Sequence, residues 1–304
     1  PVATGFSLFF AIHMVLAGWG MHRWLKALKV SDRAAYAGGL LFCLSAFFWW
    51  ELIHPPVLAA FAWLPWLFAA LEDLSRDATP RRAFWAGFAW SQVFLAGAVQ
   101  VTLGAFYGGL LYFLVRALRV HGDKTTGNNR ISLLRAKARP ILAASLLFGL
   151  GAVPLFLQLV PTLEFSRFST RGSEKMPYDT FNANYSMRPG TIGQFLFPTY
   201  PLPKNQTLET AIQTLSGERA DCDYFANFGF LGVWAPFLAF LAFRRRDRLA
   251  WLLGGLALAS LLTAFGRYFP FHRIVTLVLP GIDLIQVAFR FIYLYTLAVC
   301  ALAG

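Results

Sequence analysis

The sequence predicts an all-α polytopic membrane protein with about nine transmembrane helices and one long extracytoplasmic loop. Of its 304 residues, 57% are hydrophobic and only 14% are charged, and the mean hydropathy is +0.54. Soluble domains carry about 25% charged residues, so this composition excludes an ordinary soluble fold. Two further observations point the same way: the apolar residues fall in long runs, and the polar connections between the runs differ systematically in charge.

Nine apolar segments are long enough to cross a membrane or to pack inside a helical bundle, since a spanning helix needs roughly 20 residues. They cover residues 4–22, 34–50, 56–71, 83–98, 100–115, 140–162, 226–243, 249–265 and 288–304. We expect residues 1–162 to form a first membrane block of about six helices and residues 226–304 a second block of about three.

Residues 163–225 form the long loop between the two blocks. The helix before this loop is expected to continue past Pro161 into its first turns. The loop has nearly balanced charge, several prolines and many aromatic residues. Disordered segments usually have high net charge and few aromatic residues. The composition therefore predicts a structured cap on the membrane, and loops of this length are more often functional than not.

The net charge of +12 is confined to alternate connections of the predicted topology. Residues 23–33, 72–82, 116–139 and 244–248 together carry 18 Lys and Arg against six Asp and Glu, whereas the other connections carry nine of each. Cytoplasmic loops of membrane proteins are enriched in basic residues. This pattern places residue 1 and the 163–225 loop on the extracytoplasmic side, and it explains the basic balance by contact with the lipid bilayer, without a nucleic-acid partner.

The predicted spans contain almost no ionisable side chains, with His13 as the exception. Ion-coupled transporters generally need charged residues at membrane depth, so the sequence favours a transporter less than other classes. Cys43 and Cys300 lie in apolar segments and Cys222 lies alone in the long loop. These three positions imply no intramolecular disulfide framework.

Ionisable and polar residues gather instead at the predicted outer ends of the spans. These residues are Glu51, His54, Glu164, Arg167, Arg171, Arg267, His272, Arg273, Asp283 and Arg290. Because they share one membrane depth, a single outer cleft could collect them. Arginine binds phosphate through its planar fork, and an imidazole or a carboxylate can move a proton. The alternative is structural, since interfacial arginines often extend along apolar surface toward water and helix ion pairs are common.

Four stretches of the chain carry a resemblance to a known family. They are ELIHPPVLAAFAWLPWLFAALEDL, AVPLFLQLVPTLEFSRFSTRG, NFGFLGVWAPFLAFLAF and LTAFGRYFPFHRIVTLVLPGIDLIQVAFRFIYLYTLAV. In this order they resemble the YfhO-type bacterial membrane proteins of the GT-C glycosyltransferase superclass. The resemblance implies a GT-C-like helix arrangement in the bacterial cytoplasmic membrane. It also implies transfer of a sugar from a polyprenyl-phosphate carrier to an acceptor on the outer face.

Two features depart from this family. Its usual Gly-His-Pro-Gln turn is here Gly97-Ala98-Val99-Gln100, so Gln100 is present and the histidine is not. In GT-C enzymes the catalytic acid lies in the first outer loop, after the first span. The outside start predicted above suits a fragment that begins after that loop, so we expect the main catalytic carboxylate to lie outside these residues and the natural chain to extend beyond both ends.

The resemblance implies a reaction in which cations stabilise the departing lipid phosphate. The residues predicted to hold this phosphate are all arginines, namely Arg167, Arg171, Arg267 and Arg290. Glu51 and His54 are predicted to orient the sugar or the acceptor, with Glu164 and Gln100 as further candidates. The resemblance allows a divalent metal, but no Asp or Glu cluster has ligand spacing, so the sequence indicates no metal site and no cofactor.

Two other functions remain open at this point. The chain could be a noncatalytic scaffold subunit that keeps the fold and docks on a larger membrane complex, which the missing histidine near Gly97 favours. It could also be a flippase for lipid-linked sugars or another transporter. An Asp or Glu pair in an outer loop upstream of residue 1 would favour the enzyme over the scaffold.

Overall fold

The computed structural model describes residues 2–77, 79–122, 149, 152–166, 168, 178, 185–196, 229–245, 247–285 and 287–304. Regular structure in these residues is helical, and they contain no strand. Together with the long apolar helices described below, this makes the protein an all-α membrane protein.

Eleven α-helices lie in the described residues. They are α1 (Val2–Ala27), α2 (Asp32–Cys43), α3 (Ala46–Trp50), α4 (Pro55–Arg76), α5 (Pro80–Leu95), α6 (Val99–Gly122), α7 (Phe156–Ser166), α8 (Trp234–Ala242), α9 (Arg248–Ala264), α10 (Pro270–Val278) and α11 (Ile292–Ala303). Proline occupies the first turn of α4, α5 and α10, where its missing N–H leaves no hydrogen bond unmade.

Four segments are long and apolar enough to cross a membrane. They are Val2–Ala27, Asp32–Ile53, Pro55–Arg76 and Val99–Ala117. Shorter apolar helices occupy Val153–Phe165, Arg248–Ala264 and Ala288–Ala303. Each of the nine predicted segments includes helical residues in the part that the structure describes. Helix α7 continues through Pro161 to Ser166, as expected. The count of nine crossings, the GT-C arrangement, and the membrane and side remain predictions.

Internal contacts divide the chain into two compact units. The first unit comprises Pro1–Cys43, Leu52–Ser166 and Gly304, and the second comprises Leu44–Glu51 and Arg167–Ala303. The predicted division at residues 162 and 225 remains a prediction, since most of the 163–225 loop lies outside the described residues.

Helix α4 is the core of the first unit. It packs against α1, α5 and α6, and 78% of its most apolar window is buried, compared with 6% for α1. A helix that is apolar all round lies in a protein core or in a membrane, and α4 is largely covered by its neighbours. On α1 the large apolar side chains of Leu8, Ile12 and Val15 are exposed, which suits a surface in contact with lipid.

Helices α1 and α2 approach closely through glycine. A Cβ atom on Gly39 would lie 2.7 Å from the carbonyl oxygen of Gly18, which is backbone and cannot move aside. Small residues at such crossings let two helix backbones come together, a common device in membrane proteins.

A buried carboxylate ties α1, α4 and α6 together. The sequence places Glu72 in a polar connection, but α4 continues to Arg76 and Glu72 has no exposed surface. Glu72 accepts hydrogen bonds from Arg76 Nε at 2.9 Å, Arg116 Nε at 2.8 Å and the Tyr112 hydroxyl at 2.8 Å. The same hydroxyl accepts from Trp24 Nε1 at 3.2 Å. The helix therefore extends past the predicted end of its span at residue 71, and the charge of Glu72 is compensated by partners from neighbouring turns and helices.

The Glu72→Gln variant should destabilise the first unit. It removes the charge that compensates Arg116, and breaking a buried ion pair on one side typically costs about 3–5 kcal/mol. Asp77→Asn is the matched control, because Asp77 is exposed and pairs with Arg82 at 3.1 Å, a type of pair worth at most about 1 kcal/mol. Thermal unfolding in detergent micelles measures both, and equal losses in the two variants would contradict the structural role of Glu72.

Candidate functional site

Three backbone segments of the second unit meet where α9 ends and α11 begins. They are residues 185–188, the 3₁₀ turn Gly266–Tyr268 and the 3₁₀ turn Ala288–Phe291. The N–H of Met187 donates to the carbonyl of Ala264 at 3.0 Å, and the N–H of Phe289 donates to the carbonyl of Tyr185 at 3.1 Å. Residues 185–188 are therefore bonded through their backbone to the last residue of α9 and to the Ala288–Phe291 turn.

Glycine is required at position 266. Its φ is +53°, and a Cβ atom there would lie 2.0 Å from Ser186 Oγ and 2.9 Å from Ala288 Cβ. Ser186 is buried, and its Oγ accepts a hydrogen bond from the backbone N–H of Arg267 at 2.9 Å. The position of the Arg267 backbone thus depends on a side chain from the long loop.

Glu51 and Arg290 form an ion pair within the second unit. Arg290 Nε donates to Glu51 Oε1 at 3.0 Å, and the side chains are 17% and 1% exposed, respectively. Glu51 follows α3 directly, and α3 is held in this unit by a hydrogen bond from Ala46 N–H to the Phe230 carbonyl at 3.1 Å. Among the described residues, Glu51 is the partner of the Arg290 guanidinium, and the contact is made through Nε.

Two further arginines belong to the same group of turns. Arg267 is exposed immediately after α9, and Arg188 is exposed with its Nε 3.3 Å from the Tyr268 hydroxyl. We define the arginine cluster as Arg188, Arg267 and Arg290. Its three backbone positions are linked by the hydrogen bonds described above, and arginine forks bind phosphate or carboxylate in a bidentate manner. The cluster is therefore a candidate anion site.

A buried histidine lies close to this cluster in sequence and in space. His272 in α10 is 1% exposed, its Nδ1 lies 2.8 Å from the Tyr178 hydroxyl, and its ring contacts Phe291. Burial lowers the pKa of His272 from 6.5 to about 4, because the charged imidazolium is disfavoured away from water. The imidazole is therefore neutral at pH 7. Arg273, the next residue, lies over the Tyr178 ring at 5.5 Å.

The other predicted site residues are distributed elsewhere. His54 is half-buried at the N-cap position of α4, Gln100 is half-buried in the first turn of α6, and Glu164 is exposed on α7. These three residues belong to the first unit. Arg167 and Arg171 lie outside the described residues. The structure pairs Glu51 with Arg290 and places Arg267 in the same unit, on a turn bonded to Ser186. The functional assignments of all these residues stay predictions.

Three residues of this region were not singled out by sequence reasoning. Tyr178, Ser186 and Arg188 all come from the 163–225 loop, and their partners are 94, 81 and 80 residues away in the chain. Contacts of this range leave no periodic pattern. The only local signal is Arg188 directly before Pro189, which is a weak one.

In the part of the chain that the structure describes, no group of three His, Cys, Asp or Glu side chains could hold a metal ion. The anion site described above consists of cations and aromatic hydroxyl groups, which are not the ligands of Mg²⁺ or Ca²⁺.

No family model matches the chain, and no curated protein or solved structure is similar to it at a significant level. The resemblance to YfhO-type proteins accordingly rests on the sequence stretches quoted above.

The free energy of unfolding should decrease as the pH is lowered, because His272 is buried in its neutral form. The unfolded state, with a pKa near 6.5, binds a proton before the folded state, whose pKa is about 4. The free energy of unfolding is therefore lost progressively as pH falls from 6.5 to 4, by about 3 kcal/mol in total for this group. Thermal unfolding of the wild type and of His272→Gln between pH 7 and pH 4 measures the difference. Parallel profiles for the two proteins would show that His272 is not buried in its neutral form.

Proposed function

We propose that this membrane protein is a GT-C-like glycosyltransferase that binds a polyprenyl-phosphate sugar at the arginine cluster and transfers the sugar on the outer face of the bacterial cytoplasmic membrane. The single observation that carries the proposal is that the guanidinium of Arg290 is bonded to Glu51 through Nε alone among the described residues. Its Nε is fixed by Glu51, while its Nη groups have no other partner among the described residues. A guanidinium fork held in this way, on a turn next to the one that carries Arg267, suits a phosphate group.

Glu51 takes a different role in this proposal from the one expected at first. A carboxylate bonded to Arg290 Nε orients the guanidinium and compensates its charge, so it acts as a positioning residue for the phosphate. The role of His54, predicted from the sequence to orient the sugar or the acceptor, remains a prediction. Arg167 and Arg171 remain predicted phosphate ligands on the same grounds as before.

Catalysis by this arrangement would consist mainly of stabilising the departing phosphate. Negative charge grows on the lipid phosphate as the glycosidic bond breaks, and arginines already fixed in place need little reorganisation. The neutral His272 could not contribute a positive charge at pH 7, and it lies 1% exposed.

The first test uses binding of a short polyprenyl phosphate. Arg290→Gln should weaken binding of farnesyl phosphate to the purified protein in micelles by roughly 10- to 100-fold, because a hydrogen bond to a charged group contributes about 1.5–3 kcal/mol. Arg290→Lys should bind with intermediate affinity, since it keeps the charge without the fork. Isothermal titration calorimetry measures each variant, with farnesol as the uncharged reference ligand.

The matched control is Arg248→Gln. Arg248 is exposed at the opposite end of α9 from Arg267, so it removes the same charge from the same unit without touching the cluster. Its affinity should stay within two-fold of the wild type. Equal weakening in the Arg248 and Arg290 variants would mean that the protein attracts the phosphate only through its overall positive charge.

A noncatalytic scaffold subunit is the second candidate, and one observation favours it. The exposed apolar face of α1, only 6% buried in its most apolar window, could cover a neighbouring membrane protein as well as lipid. Purification in a fixed ratio with another membrane protein, together with unchanged farnesyl phosphate binding in Arg290→Gln, would support the scaffold against the enzyme.

A further inference from the structure

A cavity of about 680 Å³ opens in the first unit between α1, α4 and α5. It lies along the second half of α4, away from His54 at the start of that helix. Pockets that hold small molecules in proteins measure about 300–1,000 Å³. None of the predicted site residues lines this cavity, so it is independent of the arginine cluster.

One part of the cavity is aromatic. Trp63 and Trp66 of α4 and Trp85 and Phe88 of α5 line it, with ring centroids 6.3 Å apart for Trp63 and Phe88 and 5.5 Å apart for Trp85 and Phe88. The indole of Trp66 is held in place by α1, since its Nε1 donates a hydrogen bond to the carbonyl of Leu16 at 2.9 Å. Alanine residues form part of the lining and leave the space open. This wall would accept hydrocarbon.

The other part is basic. Arg23, Arg81 and Arg82 line the cavity with Asp73 as their only acidic neighbour in the lining, which leaves an excess of two positive charges. Arg23 pairs with Asp73, and Arg82 Nη1 lies 3.1 Å from Asp77 and donates to the Asp73 carbonyl at 3.2 Å. Arg81 has no ion-pair or hydrogen-bond partner among the described residues. In the basic part of the cavity, the guanidinium groups of Arg23 and Arg82 are therefore held in place by acidic residues, whereas Arg81 has no such partner among the described residues.

The start of α5 adds to this charge. Thr79 is the N-cap and makes no side-chain cap hydrogen bond, and the N–H of Ala83 is bonded to the Thr79 carbonyl at 3.0 Å. The N–H groups of Arg81 and Arg82 precede that bond, in the part of a helix where N–H groups have no intrahelical partner. A helix N-terminus favours anions, and here it lies beside three arginines at the edge of an apolar cavity.

From this geometry we propose that the cavity binds an anionic phospholipid. Its phosphate is held by Arg81, by Arg82 and by the first turn of α5, and its acyl chains lie against the tryptophan wall. The aromatic wall and the basic residues together favour this ligand. A free inorganic anion would leave the aromatic wall uncovered, and a zwitterionic lipid would not compensate the positive charge. Tryptophan at the boundary of an apolar region is typical of lipid headgroup contacts.

The test is lipid retention by the full chain. Native mass spectrometry of the protein, released from micelles that contain dioleoyl phosphatidylglycerol and dioleoyl phosphatidylcholine in equal amounts, should show preferential retention of phosphatidylglycerol. Arg81→Gln should lower that retention about five-fold, the equivalent of about 1 kcal/mol for one basic residue at an anionic lipid. Because Arg81 is exposed and unpaired within the described residues, this variant should keep the wild-type melting temperature.

Two control variants distinguish a specific lipid site from general electrostatic attraction of anionic lipid to the protein. Arg33→Gln removes an exposed charge on α2 outside the cavity and should change retention by less than two-fold. Ala70→Leu fills the cavity from α4 without changing charge and should also lower retention.

The proposal fails if the Arg81 and Arg33 variants lose phosphatidylglycerol equally, or if phosphatidylcholine is retained as well as phosphatidylglycerol. It fails as well if inorganic phosphate alone raises the melting temperature as much as phosphatidylglycerol does, since the occupant would then be a free anion. These measurements use variants of first-unit residues only, so they are independent of the farnesyl phosphate binding test of Arg290.

Discussion

A carboxylate removed from water must be compensated by a cation, and the Glu51–Arg290 pair meets this requirement across 239 residues of chain. The pair links the segment after α3 to the turn before α11, both within the second unit. It also restricts the orientation of the guanidinium, because Nε is held on Glu51. The proposed function depends on this restriction, because a freely rotating arginine would offer charge without geometry.

Glu72 shows the same requirement met in a different way. Its carboxylate is fully buried and receives Arg76, Arg116 and Tyr112 together, so the charge is compensated from three directions. Nothing about this group calls for a ligand, and its effect is to hold α1, α4 and α6 in register. Arg290 has a single protein partner among the described residues. The difference in partners, more than the difference in burial, separates a structural ion pair from a candidate binding group.

Much of the helical framework could be predicted from hydrophobic runs, because burial and lipid contact both select apolar segments. The continuation of α7 past Pro161 was also predicted correctly. Glu72 was misplaced because hydropathy ends a span at the first charged residue, whereas the helix continues when that charge finds partners. The pairing of Glu51 with Arg290 was not predictable, since the sequence showed only a shared depth. Ser186 and Arg188 were missed because their roles arise from contacts about 80 residues apart.

The most direct test of this account is a structure of the protein with a bound polyprenyl phosphate. The account predicts density for the phosphate with an oxygen at about 2.7–2.9 Å from an Nη atom of Arg290, the usual length of a charge-assisted hydrogen bond, while Nε stays on Glu51. Density for the phosphate away from Arg188, Arg267 and Arg290, with the Arg290 side chain unchanged, would contradict it.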